Sequence, residues 1–341
     1  MIKPAKYYAE TTFFMLDKGA FSDVLSSLNV SGTLLLAEEY QPPWAIEIPD
    51  ARALALAIPV AADTKIVPFH LVRRGSFELH TDDASPLVVR AGEVVICTGG
   101  QRHTMVDGEP DRVIPFEDLL DDFPVRIRKG RSSGATELVC GVFMLGNTNN
   151  NPLIEALPPI VHADVSGRNG GKTIQLLAEL LLNEIEAARS GQGYMSDRIL
   201  EMFCAEAIRI HMEAEGTDRP GWFRGLSDPK VGAVLNKIHE APGAAISVSM
   251  LAQSVGMSVS RFAARFRTAL GEAPMSYVSR WRMNVASRLI ADTDLGVEEI
   301  AHRVGYESLP AFTRAFRKYF ALPPAQWRRK HRAGLPVRHL E

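Results

Sequence analysis

Two groups of residues in this chain of 341 carry side chains able to do chemistry. The first lies in the N-terminal half: His70, His80 and His103, with the thiols Cys97 and Cys140. An imidazole ligates a metal or hydrogen-bonds a small ligand. A thiol becomes a nucleophile or an oxidation target once it ionises. The second group is basic: Arg261, Arg265 and Arg267 in one short segment, and Arg314, Arg317 and Lys318 in another. Such clusters neutralise phosphates. No nucleophile beside a base and no phosphate-binding glycine loop accompanies either group, so catalysis and a bound cofactor are not expected.

The basic groups belong to a device that occurs twice, in SVSMLAQSVGMSVSRFAARFRTAL (247–270) and GVEEIAHRVGYESLPAFTRAFRKYF (296–320). Each copy has a short amphipathic segment, a Val-Gly turn at Gly256 or Gly305, a Ser placed to cap a helix (Ser258, Ser308), and a basic helix. Phe262, Phe266 and Leu270 recur every four residues, as do Phe312, Phe316 and Phe320, and each set forms one apolar stripe. The opposite faces are the candidate DNA contacts. They are Ser258, Val259, Ser260, Arg261, Ala263, Ala264 and Arg267 in the first copy, and Ser308, Leu309, Pro310, Thr313, Arg314, Arg317 and Lys318 in the second. Between the copies Pro274–Ala291 reads as one long helix, a strut to hold two reading helices about one duplex turn apart.

These residues closely resemble the DNA-binding domain of the AraC/XylS family of bacterial transcription regulators. The likeness is carried by LAQSVGMSVSRFAARF, RWRMNVASRLI and IAHRVGYESLPAFTRAFRKYF, followed by Pro323, Pro324, Trp327 and Arg328. It implies a seven-helix domain over 231–330 that inserts two helices into successive major-groove segments. Ala263 and Ala264 replace longer polar side chains common in relatives, which weakens base reading by the first helix. Leu309 and Pro310 stand where polar readers are common, which leaves Thr313 and Arg314 to read bases and Leu309 to meet a thymine methyl.

Charge follows the same division. From Ala245 onward there are 15 Lys+Arg against 7 Asp+Glu, while residues 1–244 hold 23 against 33. The net charge of −2 thus hides a basic C-terminal part and an acidic remainder. The three cysteines are too dispersed for a disulfide framework or a zinc motif. The longest apolar run, Ala53–Ala62, contains Pro59 and is too short to cross a bilayer. With no signal peptide in view, a cytoplasmic protein without membrane contact is expected.

Residues 1–20 read as a leader and Phe21–Leu28 as a short helix. Up to Gly146, short apolar runs broken by Gly, Pro and Asp predict strands at Thr33–Ala37, Ala53–Pro59, Ile66–Arg73, Ser76–His80, Leu87–Arg90, Val94–Cys97, Arg102–Val106 and Glu137–Phe143. HLVRRG (70–75) and GEVVICTGGQRH (92–103) resemble the two motifs of a cupin. A metal cupin offers two His and a Glu from its first motif and a His from its second. Here Val72 stands two after His70 and no Glu follows at that spacing; one His per motif is too few, although His80 could add a third, so no metal is expected. His70, His80, His103 and Trp44 are instead candidate walls of an effector pocket.

The stretches PPWAIEIP, LVCGVF and PLIEALPPIVH extend the likeness to the cupin-type sensor domain of one branch of AraC/XylS regulators. That likeness implies effector binding or redox sensing, with Cys97 and Cys140 either oxidisable or buried and inert. RIRKGR (126–131) reads as a basic loop face.

Lys172–Arg189 and Ser196–Met212 read as an antiparallel helical hairpin and a homodimer interface. Residues 217–230 are the expected linker, with a helix over Lys230–His239 opening the DNA domain and a tail at 331–341. The expected fold is α+β: a cupin-like β-barrel with a helical hairpin over 21–216, then an all-α domain with two helix-turn-helix units. The expected function is a sequence-specific regulator that binds double-stranded promoter or operator DNA, answers a small-molecule or redox signal, and engages RNA polymerase if it activates. The rival is a metal-dependent cupin enzyme fused to a DNA-binding domain.

Overall fold

The computed structural model describes residues 19–58, 60, 64–82, 84–116, 118, 126–128, 132–146, 148–164, 169–214 and 220–333. Residues 1–18 of the expected leader, residues 334–341 of the expected tail and the GTDR segment lie outside them, while Ala20, expected to end the leader, is buried at the start of a helix.

Among the described residues ten strands form two sheets. The first has the order β10 (Val161–Asp164), β6 (Glu93–Ile96), β3 (Lys65–Arg74), β9 (Thr136–Gly146), β1 (Asn29–Tyr40) and β8 (Arg126–Arg128). The second has the order β2 (Trp44–Ile48), β7 (His103–Asp107), β4 (Ser76–Thr81) and β5 (Ala84–Arg90). Pairing is antiparallel except between β1 and β8, so the 126–128 part of the basic run is an edge strand rather than a loop.

A closed barrel was expected; among the described residues there are two sheets. Gly75 (φ +78°) turns the chain out of β3 into the second sheet, and Gly92 (φ +82°) returns it from β5 to β6. Both conformations suit glycine.

The first sheet is covered on both faces, which is why its strands read as continuous apolar runs. Ile66, Val72, Val95, Cys97, Leu138, Cys140 and Val142 face the second sheet, packed with Trp44, Ile46, Phe77, Leu79, Val89 and Met105. Val67, Phe69, Leu71, Val94, Ile96, Val139 and Phe143 face the helices on the other side. Those helices are α1 (Ala20–Ser27), α4 (Asn169–Ala187) and α5 (Gln192–Ala214), with Phe203 of α5 5.2 Å from the Phe69 ring.

The strand expected at Ala53–Pro59 is instead helix α2 (Ala51–Ala57). Asp50 caps it by accepting from the N–H groups of Arg52 and Ala53, and ARALALA is built of strong helix formers. Its alternation of Leu and Ala imitates a strand, and only Leu54 is buried. Asn151 caps the short α3 (Pro152–Ala156) in the same way.

The C-terminal part is helical: α6 (Trp222–Ser227), α7 (Pro229–Glu240), α8 (Val248–Ser254), α9 (Val259–Leu270), α10 (Pro274–Asp292), α11 (Val297–Arg303), α12 (Leu309–Phe320) and α13 (Pro324–Ala333). The segment expected to be a linker therefore contains α6. The Gly221 N–H donates to the Ala269 carbonyl, and Trp222 is buried. Among the described residues no helix is long and apolar enough to cross a membrane.

Candidate nucleic-acid interface and sensor core

Gly256 (φ +63°) turns α8 into α9, and Gly305 (φ +81°) turns α11 into α12. The caps differ. Ser308 accepts from the Ala311 N–H at 3.4 Å, whereas Ser258 takes the N-cap position without a side-chain bond to its helix. Phe262 and Phe266 are fully buried in α9, and Phe312 and Phe316 in α12. Leu270 is only half-buried, lying against Gly225 where a side chain would collide with it at 2.6 Å.

The opposite faces meet solvent. Ser258, Val259, Ser260, Arg261, Ala264 and Arg267 are exposed and Ala263 is half-buried. Ser308, Leu309, Pro310, Arg314, Arg317 and Lys318 are exposed, with Thr313 half-buried. Arg265, read from sequence as part of the basic face, is held at 2.8 Å by Asp228, which also caps α7.

Arg282 has a positioning role that its type and spacing did not reveal. From the middle of α10 it donates to the carbonyls of Pro242 (2.7 Å), Ala244 (2.7 Å) and Gly305 (3.2 Å). It thus ties the loop before α8 to the turn before α12. Gly243 packs beneath: a Cβ there would meet the Arg303 carbonyl at 2.3 Å. The 19-residue α10 spans ~28 Å at ~1.5 Å per residue.

A buried polar chain links three of these helices. The Trp222 indole donates to the Tyr277 hydroxyl at 2.9 Å, and that hydroxyl lies 2.8 Å from His239 Nε2. Burial lowers the His239 pKa to about 3, so the ring is neutral and accepts from Tyr277.

In the N-terminal half, His70 Nε2 and His103 Nε2 lie 2.9 Å apart between the sheets. The third group beside them is Cys97, its Sγ 3.6 Å from His103 Nε2. His103 Nδ1 donates to the Gln101 carbonyl at 3.1 Å, which leaves its Nε2 as an acceptor. His70 Nδ1 is buried without a hydrogen-bond partner. Burial holds His103 down to about 4 and His70 well below the usual imidazole range.

Burial also pushes Cys97 up to about 12 and Cys140 well above the ordinary thiol range. Both are therefore protonated, whereas an oxidation-sensing thiol needs easy ionisation. His80 is not brought to this cluster: it is partly exposed on β4 and pairs with Glu78 at 2.9 Å. Trp44 is buried in the same intersheet core, its ring 6.3 Å from Phe77.

The family model described as cupin matches residues 20–213, and one described as helix-turn-helix domain matches residues 251–330. A putative AraC-like transcription regulator of Streptomyces lividans is 26% identical over 266 residues, covering 78% of this chain and 87% of its own length. The HTH-type transcriptional regulator AlkR of Acinetobacter baylyi is 23% identical over 317 residues, 91% of this chain and 99% of that protein. The RCS-specific HTH-type transcriptional activator RclR of Escherichia coli is 24% identical over 278 residues, 81% of this chain and 89% of that one. By these matches the chain belongs to the cupin family through its N-terminal part and, with the helix-turn-helix domain behind it, is a DNA-binding transcription regulator of the AraC type.

Proposed function

We propose that the regulator reads two successive major-groove segments with α9 and α12, that it does so as a homodimer, and that a signal received between its two sheets sets its affinity for DNA. The observation that carries this reading is the matched pair of exposed basic helix faces, each following a left-handed glycine turn, joined by α10 and tied by Arg282. The sensor part spans residues 21–216 and the DNA part residues 231–330, with α6 packed as an adapter between them. Trp44, His70 and His103 are the proposed effector contacts; His80 sits at the surface and is the weakest of the four.

Three contacts support a route for the signal. The Ala20 N–H donates to Asn236 Oδ1 of α7 at 2.9 Å, the Phe21 and Trp222 rings stack at 6.1 Å, and Glu155 of α3 pairs with Arg280 of α10 at 2.7 Å. Binding-site selection with the full chain, followed by footprinting, tests the DNA reading. Two protected segments about one duplex turn apart are expected. A single short footprint unaffected by changes in α9 would sink it.

The dimer rests on α4 and α5. Leu177 and Leu181 are buried against the sheet, while Leu176 (64% exposed), Leu180 (48%) and Met202 (57%) leave a second apolar surface pointing outward. Sedimentation of the full chain should show a dimer that Leu176→Glu with Leu180→Glu converts to monomer. A monomeric wild-type chain at micromolar concentration removes this part of the reading.

A further inference from the structure

The cluster of His70, Cys97 and His103 carries an inference furthest. Their ligating atoms all lie within 4.8 Å of one another, and all three residues are buried. We propose that these three side chains form a binding site for a single soft metal ion, best suited to monovalent copper, coordinated by two imidazole nitrogens and one thiolate.

The first argument is an unresolved competition. His103 Nε2 offers one lone pair, because its Nδ1–H is committed to the Gln101 carbonyl. Two groups approach that lone pair, His70 Nε2 at 2.9 Å and Cys97 Sγ at 3.6 Å. With both protonated, only one can make a good hydrogen bond there. A cation at the centre removes the conflict: it takes the place of the thiol proton and of the Nε2 proton on His70, and all three lone pairs point inward. Fixing the ring of a ligating His through its other nitrogen to a carbonyl is what metal sites commonly do. The ion enters as the thiol proton leaves to solvent, and the second imidazole changes tautomer without changing charge.

The second argument selects the ion. A thiolate with two imidazoles suits soft or borderline metals rather than calcium or magnesium. The surroundings are apolar: Val72, Phe77, Leu79, Val95 and Met105 belong to the same intersheet core. Burying net charge in such a place is costly. A monovalent cation with one thiolate is neutral, whereas a divalent one leaves an uncompensated positive charge. Zinc also wants four ligands, and among the described residues no carboxylate or further imidazole joins the three. Access is short, since Cys97 and His103 flank a turn in which Gly99 and Arg102 are exposed.

The two His and Glu of a metal cupin's first motif are absent from this sequence. The third donor comes instead from Cys97, just after β6, and the site shares His70 and His103 with the proposed effector contacts. The test is anaerobic titration of the reduced, metal-free full chain with monovalent copper held by a chromogenic chelator. One copper per chain is expected, with one sulfur and two nitrogen ligands by X-ray absorption.

Cys97→Ala and His103→Ala should each abolish uptake, while His80→Ala and Cys204→Ala should retain it. Circular dichroism establishes that the variants fold, and Cys97→Ser replaces Cys97→Ala if the latter does not. Copper left wholly with the chelator, uptake that survives loss of Cys97, or one equivalent of zinc bound in preference to copper would each overturn the proposal.

Discussion

The two helix pairs of the DNA-binding part look alike in sequence and differ in what they are attached to. The core beneath α9 continues without a break into the N-terminal part, with Phe262, Phe266, Tyr277 and Trp281 in one cluster with Val24, Phe69, Leu153 and Phe203. The core beneath α12 is separate, built from Met283, Ile290, Ile300, Val304, Phe312, Phe316 and Trp327. Side-chain chemistry differs in the same sense. Ala264 of α9 and Arg314 of α12 occupy corresponding places, each two after the first buried Phe of its stripe. Arg265 of α9 is spent on Asp228. On the proposed function, the first unit is the one a signal would move, and the second, with Arg314 on its exposed face, is the one to read bases.

The largest effect that tests this contrast comes from emptying each core in turn. Phe266→Ala and Phe316→Ala each remove a fully buried ring, at a cost of ~3–5 kcal/mol. Phe316→Ala should lower the melting of α11–α13 alone, read by the fluorescence of Trp327 packed 5.9 Å from Phe316, and leave the sheets intact. Phe266→Ala should weaken the sheets and α9 together. If hydrogen exchange shows both variants melting the whole chain as one unit, the separation of cores has no energetic meaning.

Acid should discriminate the units next. His239, facing the Tyr277 hydroxyl, the Arg280 guanidinium and the Trp281 ring, is held at about 3 by burial, against an ordinary value of 6.5. Between those values the unfolded chain binds a proton that the folded chain does not. Stability is therefore full above pH 6.5 and falls as pH drops toward 3, by up to about 1.4 kcal/mol per unit. Among the described residues the second unit holds no buried histidine. Exchange of α7 and α10 amides should accelerate at pH 5 while α12 holds; equal acceleration in both would remove the distinction.

Base reading gives a smaller and more local effect. Arg314 is exposed on α12, opposite the Phe312–Phe316 stripe, and a bidentate contact to guanine is worth ~1–3 kcal/mol of discrimination. Arg314→Ala should relax preference at one or two positions of the selected site. Arg317→Ala should weaken all sequences alike and reduce the salt slope by about one phosphate contact. A uniform loss for Arg314→Ala, with the preferred sequence unchanged, would make it a phosphate contact.

The parts of this molecule that the sequence predicts are those written in local spacing. Gly256 and Gly305, the Phe repeats and the long helix from Pro274 all depend on neighbours within a few turns. Helix α2 fails that test because Leu-Ala alternation serves both periods. Strand β10 hides inside PPIVHAD, where two prolines dominate the reading. The cupin-like motifs bring His70 and His103 to one pocket, but that Cys97 joins them is set by the pairing of β3 with β6 and by the turn into β7, and spacing along the chain does not show it. Arg282 is likewise one more basic residue until three carbonyls from distant loops converge on it.

The smallest effect expected is also the one that bears most directly on the attachment of the first unit. Glu155 and Arg280 join the two parts at 2.7 Å, and Glu272 pairs with the same guanidinium. Arg280 is nearly buried, lying over the Tyr277 ring at 5.2 Å, whereas the Glu155 side chain is 52% exposed. Exposed ion pairs contribute about 0–1 kcal/mol. Glu155→Gln leaves Arg280 neutralised by Glu272, so stability should change by less than about 1 kcal/mol. What should change is the coupling. If the N-terminal part steers α9 through this contact, Glu155→Gln alters protection in the footprint of the first unit and leaves that of α12 unchanged. An equal change at both segments would mean that Glu155 acts on the DNA part as a whole, and the division between a steered unit and a reading unit would not hold.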